Sequence, residues 1–126
     1  MDMELTNYLF KFLREARERS QVPDVLATEE FDFLVFVLKR LGMSRSQISQ
    51  DLWVLYETNF KRQGYFVEFG AADGLKWSNT YILEKSFGWS GIVAEPNPVF
   101  HEALRRHRQC YISTKCVTGR SGERVE

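Results

Sequence analysis

The sequence predicts an α/β fold in which a Rossmann-like parallel sheet of about three strands, the first half of a doubly wound sheet, follows an N-terminal helical segment. Three observations predict it. Short apolar runs at Tyr65-Phe66-Val67-Glu68-Phe69, at Gly91-Ile92-Val93-Ala94 and near Cys110 to Val117 read as strands bounded by glycine or turn residues. Helical spacing fills the intervals between them. Strand, helix, strand, helix, strand in steps this short calls for crossover connections, which is how parallel sheets are wound.

From Leu5 the apolar residues fall at Leu5, Tyr8, Leu9, Phe12, Leu13 and Ala16, the recurrence of an amphipathic helix whose solvated side carries Lys11, Arg14, Glu15, Arg17 and Glu18. Pro23 ends this element. Thr28 offers an N-cap to a second helix, and Glu29 and Glu30 in its first turn suit the helix dipole. The body of that helix, Phe31 to Leu41, is apolar almost all round and wants cover on more than one side, with Gly42 as its stop. A third helical pattern sets Ile48, Leu52, Leu55 and Tyr56 on one face, with Ser44 or Ser46 as the candidate cap. At Lys61-Arg62-Gln63-Gly64 the texture changes, dividing a helical extension, residues 1–62, from a partial Rossmann-like domain, residues 63–126. There the first strand hands over to a loop from Gly70 to Gly74. A short helix near Asn79 to Phe87 follows, closed by Gly88, and then the second strand. Asn97 is the N-cap and Pro98 the first helical position of a helix to about Arg108.

The 17 basic and 17 acidic side chains cancel, so no global field recruits a charged partner. With 44% hydrophobic and 14% aromatic residues the chain can bury a core, which excludes a disordered tail. No apolar run reaches the roughly 18 residues of a bilayer span. Met1-Asp2-Met3-Glu4 carries acid where a secretory signal carries base, so a cytoplasmic location is expected. Cys110 and Cys116 cannot build a disulfide framework; on one strand their separation would be about 20 Å, and two reduced thiols are expected.

Glu68-Phe69-Gly70-Ala71-Ala72-Asp73-Gly74 sits where a strand meets a helix, the position at which open α/β sheets bind ligands. Small residues at 70, 71, 72 and 74 let the backbone approach a bound molecule; an ordinary tight turn would use the same residues. Glu95 stands at the end of the second strand, 21 residues after Gly74, where an acid can accept hydrogen bonds from both hydroxyls of an adenosine ribose. The nicotinamide fingerprint is G-x-G-x-x-G, whereas this chain reads Gly70-x-Ala72-x-Gly74 with an acid two positions earlier, which favours another adenosine cofactor.

The stretch Gly64-Tyr65-Phe66-Val67-Glu68-Phe69-Gly70-Ala71-Ala72-Asp73-Gly74, with Ser78-Asn79-Thr80, Gly88-Trp89-Ser90-Gly91 and Ala94-Glu95-Pro96-Asn97-Pro98, resembles the FkbM family of S-adenosylmethionine-dependent methyltransferases. Ser46-Gln47-x-x-Gln50-Asp51 resembles the segment leading into that family's first strand. The likeness covers residues 46 to 126. It implies a cofactor loop at Glu68, Gly70, Ala71, Ala72 and Gly74, with Ala72 in place of a glycine common in methyltransferases. It also implies a ribose-binding acid at Glu95, with Pro96 and Asn97 shaping the turn beneath the adenine. Asp73 and Asn79 match positions beside the cofactor, Asn79 serving equally well as a helix cap. Glu68 and Asp73 at the mouth of the site would favour a cationic sulfonium. The implied reaction is methyl transfer, to oxygen of a small molecule or glycan. No residue stands out as the base an oxygen acceptor needs.

The family's later motifs are not in this sequence, so the resemblance covers the cofactor half and leaves the acceptor half unmatched. The first strand, normally central, would then expose an edge open to self-association. A catalytically silent binding or interaction module is the alternative from another class. A third reading is a helix-turn-helix at Leu38-x-x-Leu41-Gly42-Met43-Ser44-x-x-Gln47-Ile48-Ser49-x-x-Leu52, but Asp51 and Glu57 on its second helix oppose phosphate, and no nucleic-acid partner is expected. His101 and His107 lack metal-pair spacing and read as exposed, and Arg105, Arg106 and Arg108 read as a charged outer face. Trp53, Trp77 and Trp89 read as core or rim packing, Trp77 close enough to the loop to border a ligand.

Overall fold

A computed structural model describes residues 3–19, 28–119 and 122, so Pro23 lies outside the described residues. The chain forms two compact units, Met1–Leu38 and Lys39–Glu126. The change of texture near residue 62 therefore falls inside the second unit, because the helix before it belongs with the sheet.

The first unit holds α1 (Met3–Arg19) and α2 (Glu29–Leu38). Along α1, Lys11 pairs with Glu15 and Arg14 with Glu18 one turn apart, on the solvated side the periodicity assigns to them. Of the predicted apolar stripe, Phe12 is exposed and Leu13 half-buried, while the side chains of Leu5, Tyr8, Leu9 and Ala16 lie outside the described set. Thr28 caps α2 as expected, its hydroxyl accepting from the Phe31 N–H at 3.2 Å, and Glu29, Glu30 and Asp32 fill the first turn. The helix stops at Leu38 rather than at Gly42. Gly42 instead lies inside a 3-10 turn, Leu41–Met43, in the second unit.

That turn leads to α3 (Gln50–Glu57) through a segment in which Ser46 bridges to Trp77. Two expectations fail here for one reason. The N-cap position of α3 is Ser49, which makes no side-chain cap bond; the Ser46 oxygen accepts from the Asp51 N–H at 3.4 Å, and the Ser44 and Ser46 hydroxyls donate to Asp51 Oδ1, at 2.6 and 2.8 Å, while the Arg45 N–H donates to Oδ2 at 2.8 Å. Asp51 is fully buried, and this shell of donors holds residues 44–46 extended, leaving Ile48 80% exposed instead of on the helix face. A helix-turn-helix is thereby ruled out: residues 39–49 are no tight turn, and α2 and α3 belong to different units.

The sheet is three-stranded, all parallel and open, in the order β1 (Tyr65–Phe69), β2 (Ser90–Ala94), β3 (Tyr111–Ser113). Helices α4 (Tyr81–Phe87) and α5 (Pro98–His107) make the two crossovers, as in half of a Rossmann-like fold. Asn97 caps α5 by accepting from the Val99 N–H at 3.1 Å, with Pro98 in the first turn, and Gly88 closes α4 in the left-handed conformation. The third strand is shorter than its apolar pattern.

The register Phe66↔Gly91 and Glu68↔Val93↔Ile112 defines the buried face of the sheet. Phe66 and Val93 there join Leu83 of α4 and Leu104 of α5 in the core, with Leu52 and Leu55 of α3 also fully enclosed. Trp89 completes it, its indole N–H donating to the Lys61 carbonyl at 2.7 Å, whereas Trp53 and Trp77 are exposed. The other face of β1 is open: Tyr65, Val67 and Phe69 are 62%, 53% and 63% exposed. The first strand is thus buried on one side only, and both sides of the strand are not the continuous interior its apolar run suggests. No helix among the described residues is long and apolar enough to cross a membrane.

Candidate functional site

The C-terminal ends of β1 and β2 lie side by side, and the loop after β1 folds over the end of β2. Gly70 and Ala71 both donate backbone N–H groups to the Ala94 carbonyl, at 2.8 and 3.2 Å. Glu95 follows directly, its own N–H held by the Ser113 carbonyl of β3 at 2.9 Å. Its carboxylate turns back over the loop: Oε2 accepts from the Ala72 N–H at 2.9 Å and Oε1 from the Asn97 N–H at 2.8 Å. The small-residue bend and the acid at 95 are therefore in direct contact. Glu95 is 6% exposed, and its two bonds leave about half of a carboxylate's four acceptor positions uncommitted.

Within the bend the residues divide by role. Gly70 has φ +70°, a conformation that costs an L-residue about 1–2 kcal/mol, and a Cβ built there meets nothing within 4 Å. That is open space at the loop's start. Gly74, φ +76°, is different: a Cβ would come within 2.6 Å of Leu104 Cδ1 and 2.7 Å of Arg108 Cγ. Its missing side chain makes room for α5 and the residue after it, not for a ligand. Ala72 holds φ +46° despite its methyl group, and Ala71 is buried. Asp73 closes a local turn, Oδ1 accepting from the Leu75 and Lys76 N–H groups at 2.9 and 2.8 Å.

Glu68 does not stand at the mouth of the loop. It points into the core, where Oε1 accepts from the Asn79 N–H (2.8 Å) and Oε2 from the Thr80 hydroxyl (2.6 Å), the Ser78 hydroxyl (3.1 Å) and Arg108 Nη1 (3.3 Å). Burial without such partners would expel the charge, so this shell is what keeps a carboxylate inside the sheet face. Asn79 is not the cap of α4; Thr80 holds that position without a side-chain cap bond, and the Ser78 oxygen accepts from the Tyr81 N–H at 3.1 Å. The Asn79 side-chain Oδ1 is buried with no hydrogen-bond partner. Pro96 and Asn97 are exposed at the turn, Asn97 as the cap of α5.

Arg108 departs furthest from its sequence reading. Arg105 and Arg106 are exposed, but the Arg108 side chain is 0% exposed. Its Nε donates to Glu84 Oε2 at 2.6 Å, Nη2 to Thr80 Oγ1 at 2.8 Å, and Nη1 reaches Ser78 Oγ and the Gly74 carbonyl at 3.1 and 3.4 Å. The guanidinium also lies 5.3 Å from the Phe66 ring centre. Burial pushes the Glu84 carboxyl upward, but the hydrogen bonds from Arg108 and the Gln109 N–H and the charge of Arg108 outweigh it, so it sits below the ordinary value. Beside it the Cys110 thiol is pushed up to about 11, chiefly by burial.

His101 and His107 are half-buried rather than exposed. Nε2 of His101 lies 2.8 Å from the Glu95 carbonyl, and Nδ1 of His107 lies 2.7 Å from the Asp73 carbonyl. The signal for these residues was their spacing: 101, 104, 107 and 108 recur at three and four around buried Leu104. Among the described residues no group of His, Cys, Asp and Glu could hold a metal ion.

Gly70, Ala72, Asn79 and Glu95 fit an adenosine cofactor, on the open space at Gly70, the unpartnered Asn79 oxygen and the spare acceptor capacity of Glu95. Glu68, Gly74 and Asp73 serve the protein's own framework. No family model matches the chain, and comparison with the curated proteins and with the solved structures returns no match.

Proposed function

We propose that the chain binds S-adenosylmethionine at the bend after β1 and supports methyl transfer, as its resemblance to FkbM methyltransferases implies, with oxygen of a small molecule or glycan as acceptor. The observation that carries this reading is the 2.9 Å contact between Glu95 Oε2 and the Ala72 N–H, which joins the two segments a nucleoside has to touch together. Glu95 would hold ribose hydroxyls with its remaining acceptor positions, Gly70 would admit the ligand to the backbone, and Asn79 would take an N–H donor on its open oxygen. When bound, the sulfonium supplies an already activated methyl carbon, so the chain's task is positioning and the exclusion of water. No base is assigned. A cytoplasmic setting with both thiols reduced belongs to the same proposal; both cysteines are free.

The test is isothermal titration of the intact chain with S-adenosylmethionine, beside Glu95→Ala, with circular dichroism to show that both are folded. Saturable binding weakened at least tenfold by the substitution is expected, since about 1.4 kcal/mol or more rides on a charge-assisted pair of hydrogen bonds. Absence of heat with the intact chain, or equal affinity in the two, contradicts the reading.

A second reading is favoured by the open face of β1: a catalytically silent module that associates, with itself or with a partner, through Tyr65, Val67, Phe69 and the unpaired strand edge. Cofactor binding without turnover on any acceptor, together with concentration-dependent sedimentation, would favour it over the enzyme.

A further inference from the structure

We infer that α5 is a histidine-fastened brace: His107 and His101 are positioning residues that hold the loop after β1 and the Glu95 turn in register with each other, each through one ring N–H on a backbone carbonyl. The two contacts are short, 2.7 Å from His107 Nδ1 to the Asp73 oxygen and 2.8 Å from His101 Nε2 to the Glu95 oxygen. A carbonyl oxygen only accepts, so the hydrogen in each bond belongs to the ring. His107 therefore carries its hydrogen on Nδ1 and His101 on Nε2, and as neutral rings the two are opposite tautomers on one helix.

These contacts add to the bonds that already join loop and strand end, the Gly70 and Ala71 N–H groups on the Ala94 carbonyl. Asp73 and Gly74 present consecutive carbonyls to the end of α5, one taken by His107 and the next by Arg108 Nη1 at 3.4 Å. The missing Cβ of Gly74 is what lets Leu104 and Arg108 approach this backbone. At the other end of the helix, His101 reaches the peptide that carries Glu95, whose side chain returns to Ala72. Loop, turn and helix thus form a closed ring of hydrogen bonds through His107, Asp73, Ala72, Glu95 and His101. In such a ring the position of the Glu95 carboxylate relative to Gly70 is set by α5 as well as by the strands. Helical rise sets the backbone positions of the two histidines about 9 Å apart along the axis, so a shift of either segment along α5 strains its bond.

The inference rests on the proposed cofactor reading only for its binding readout; the register itself is measurable in the ligand-free chain. An asparagine amide nitrogen falls near the place of Nδ1 and a glutamine amide nitrogen near that of Nε2, which permits a crossed test. His107→Asn and His101→Gln keep the donor where it is needed, whereas His107→Gln and His101→Asn move it. Amide hydrogen exchange is read at Gly74, whose N–H donates to the Ala71 carbonyl at 2.8 Å, and at Asn97, whose N–H donates to Glu95. Gly74 should exchange about tenfold faster in His107→Gln and within about threefold of the parent in His107→Asn, with Asn97 behaving in the mirrored way for the His101 pair. Because asparagine rescues one site and glutamine the other, helix propensity alone does not produce this pattern. The affinity for S-adenosylmethionine should follow the same crossed order. If the two substitutions at each histidine are equivalent in exchange, the brace is overturned, whatever the affinities. If exchange is crossed but the parent binds no S-adenosylmethionine, the brace stands and the cofactor reading falls.

Discussion

Replacing Arg108 by methionine removes one guanidinium and leaves two carboxylates, Glu68 and Glu84, each with a side chain only 7% exposed, facing the core without their shared cation. Methionine keeps an apolar stem against Gly74, though it loses the guanidinium stacked on Phe66. Breaking a buried pair from one side costs about 3–5 kcal/mol, a large part of the roughly 5–15 kcal/mol that holds a domain of this size together. Lys85, with its ammonium 3.3 Å from Glu84, and the hydroxyls of Ser78 and Thr80 on Glu68 offset some of this, so the lower half of the range is expected. The pH dependence gives the sharper check. With Arg108 in place the Glu84 carboxyl lies below its ordinary 4.5, and its contribution to stability is present above that value and lost as pH falls through the folded one. Without Arg108, burial is opposed mainly by the Gln109 N–H, the folded value rises, and the penalty grows with pH. Urea unfolding followed by the fluorescence of buried Trp89 should therefore show a gap between parent and Arg108→Met that is widest near pH 7 and narrows toward pH 3. A loss under about 1 kcal/mol at pH 7, or one that does not change with pH, would refute the reasoning.

Gly70→Ala and Gly74→Ala should separate binding from stability. The first meets open space, so only its left-handed φ is strained and about 1 kcal/mol is lost, with ligand affinity falling more; the second also overpacks Leu104 and Arg108 and should lose about 2–4 kcal/mol in chemical denaturation. Ala72→Gly relieves a backbone held at φ +46° and should leave stability unchanged or raise it by up to about 1 kcal/mol, read as a higher urea midpoint. Alkylation with iodoacetamide at neutral pH should label Cys116, which is exposed, well before Cys110, whose thiol titrates near 11; mass spectrometry of the timed products checks the order.

The elements were legible where each has a local cause: Thr28 at the start of α2 in the first unit, and in the second Asn97 and Pro98 at a helix start, Gly88 at a helix end, and apolar runs of strand length between them. The places where sequence and structure part are those where a polar side chain is held by partners distant along the chain. Asp51 gathers the Ser44 and Ser46 hydroxyls while the N-cap position falls to Ser49, and no periodicity records that Asp51 is buried. Arg108 follows two exposed arginines and shares their composition, but it stands one residue past the end of α5 in extended backbone, with its side chain fully buried. Glu68 looks like a ligand-facing acid until Arg108, forty positions later, is seen to meet it at 3.3 Å. The contact of Glu95 with Ala72 was within reach of the sequence, since both follow parallel strands at the same edge of the sheet. The division of the glycines into one that opens space and one that admits a helix was not, because it depends on what α5 brings alongside.

The most direct measurement is a titration of the uniformly 15N-labelled chain with S-adenosylmethionine, followed at the backbone amides of Gly70, Ala72 and Asn97. One site shared by the bend and the acid predicts that all three resonances move together along a single saturation curve. Resonances that stay still, or movement confined to one of the two segments, would contradict it.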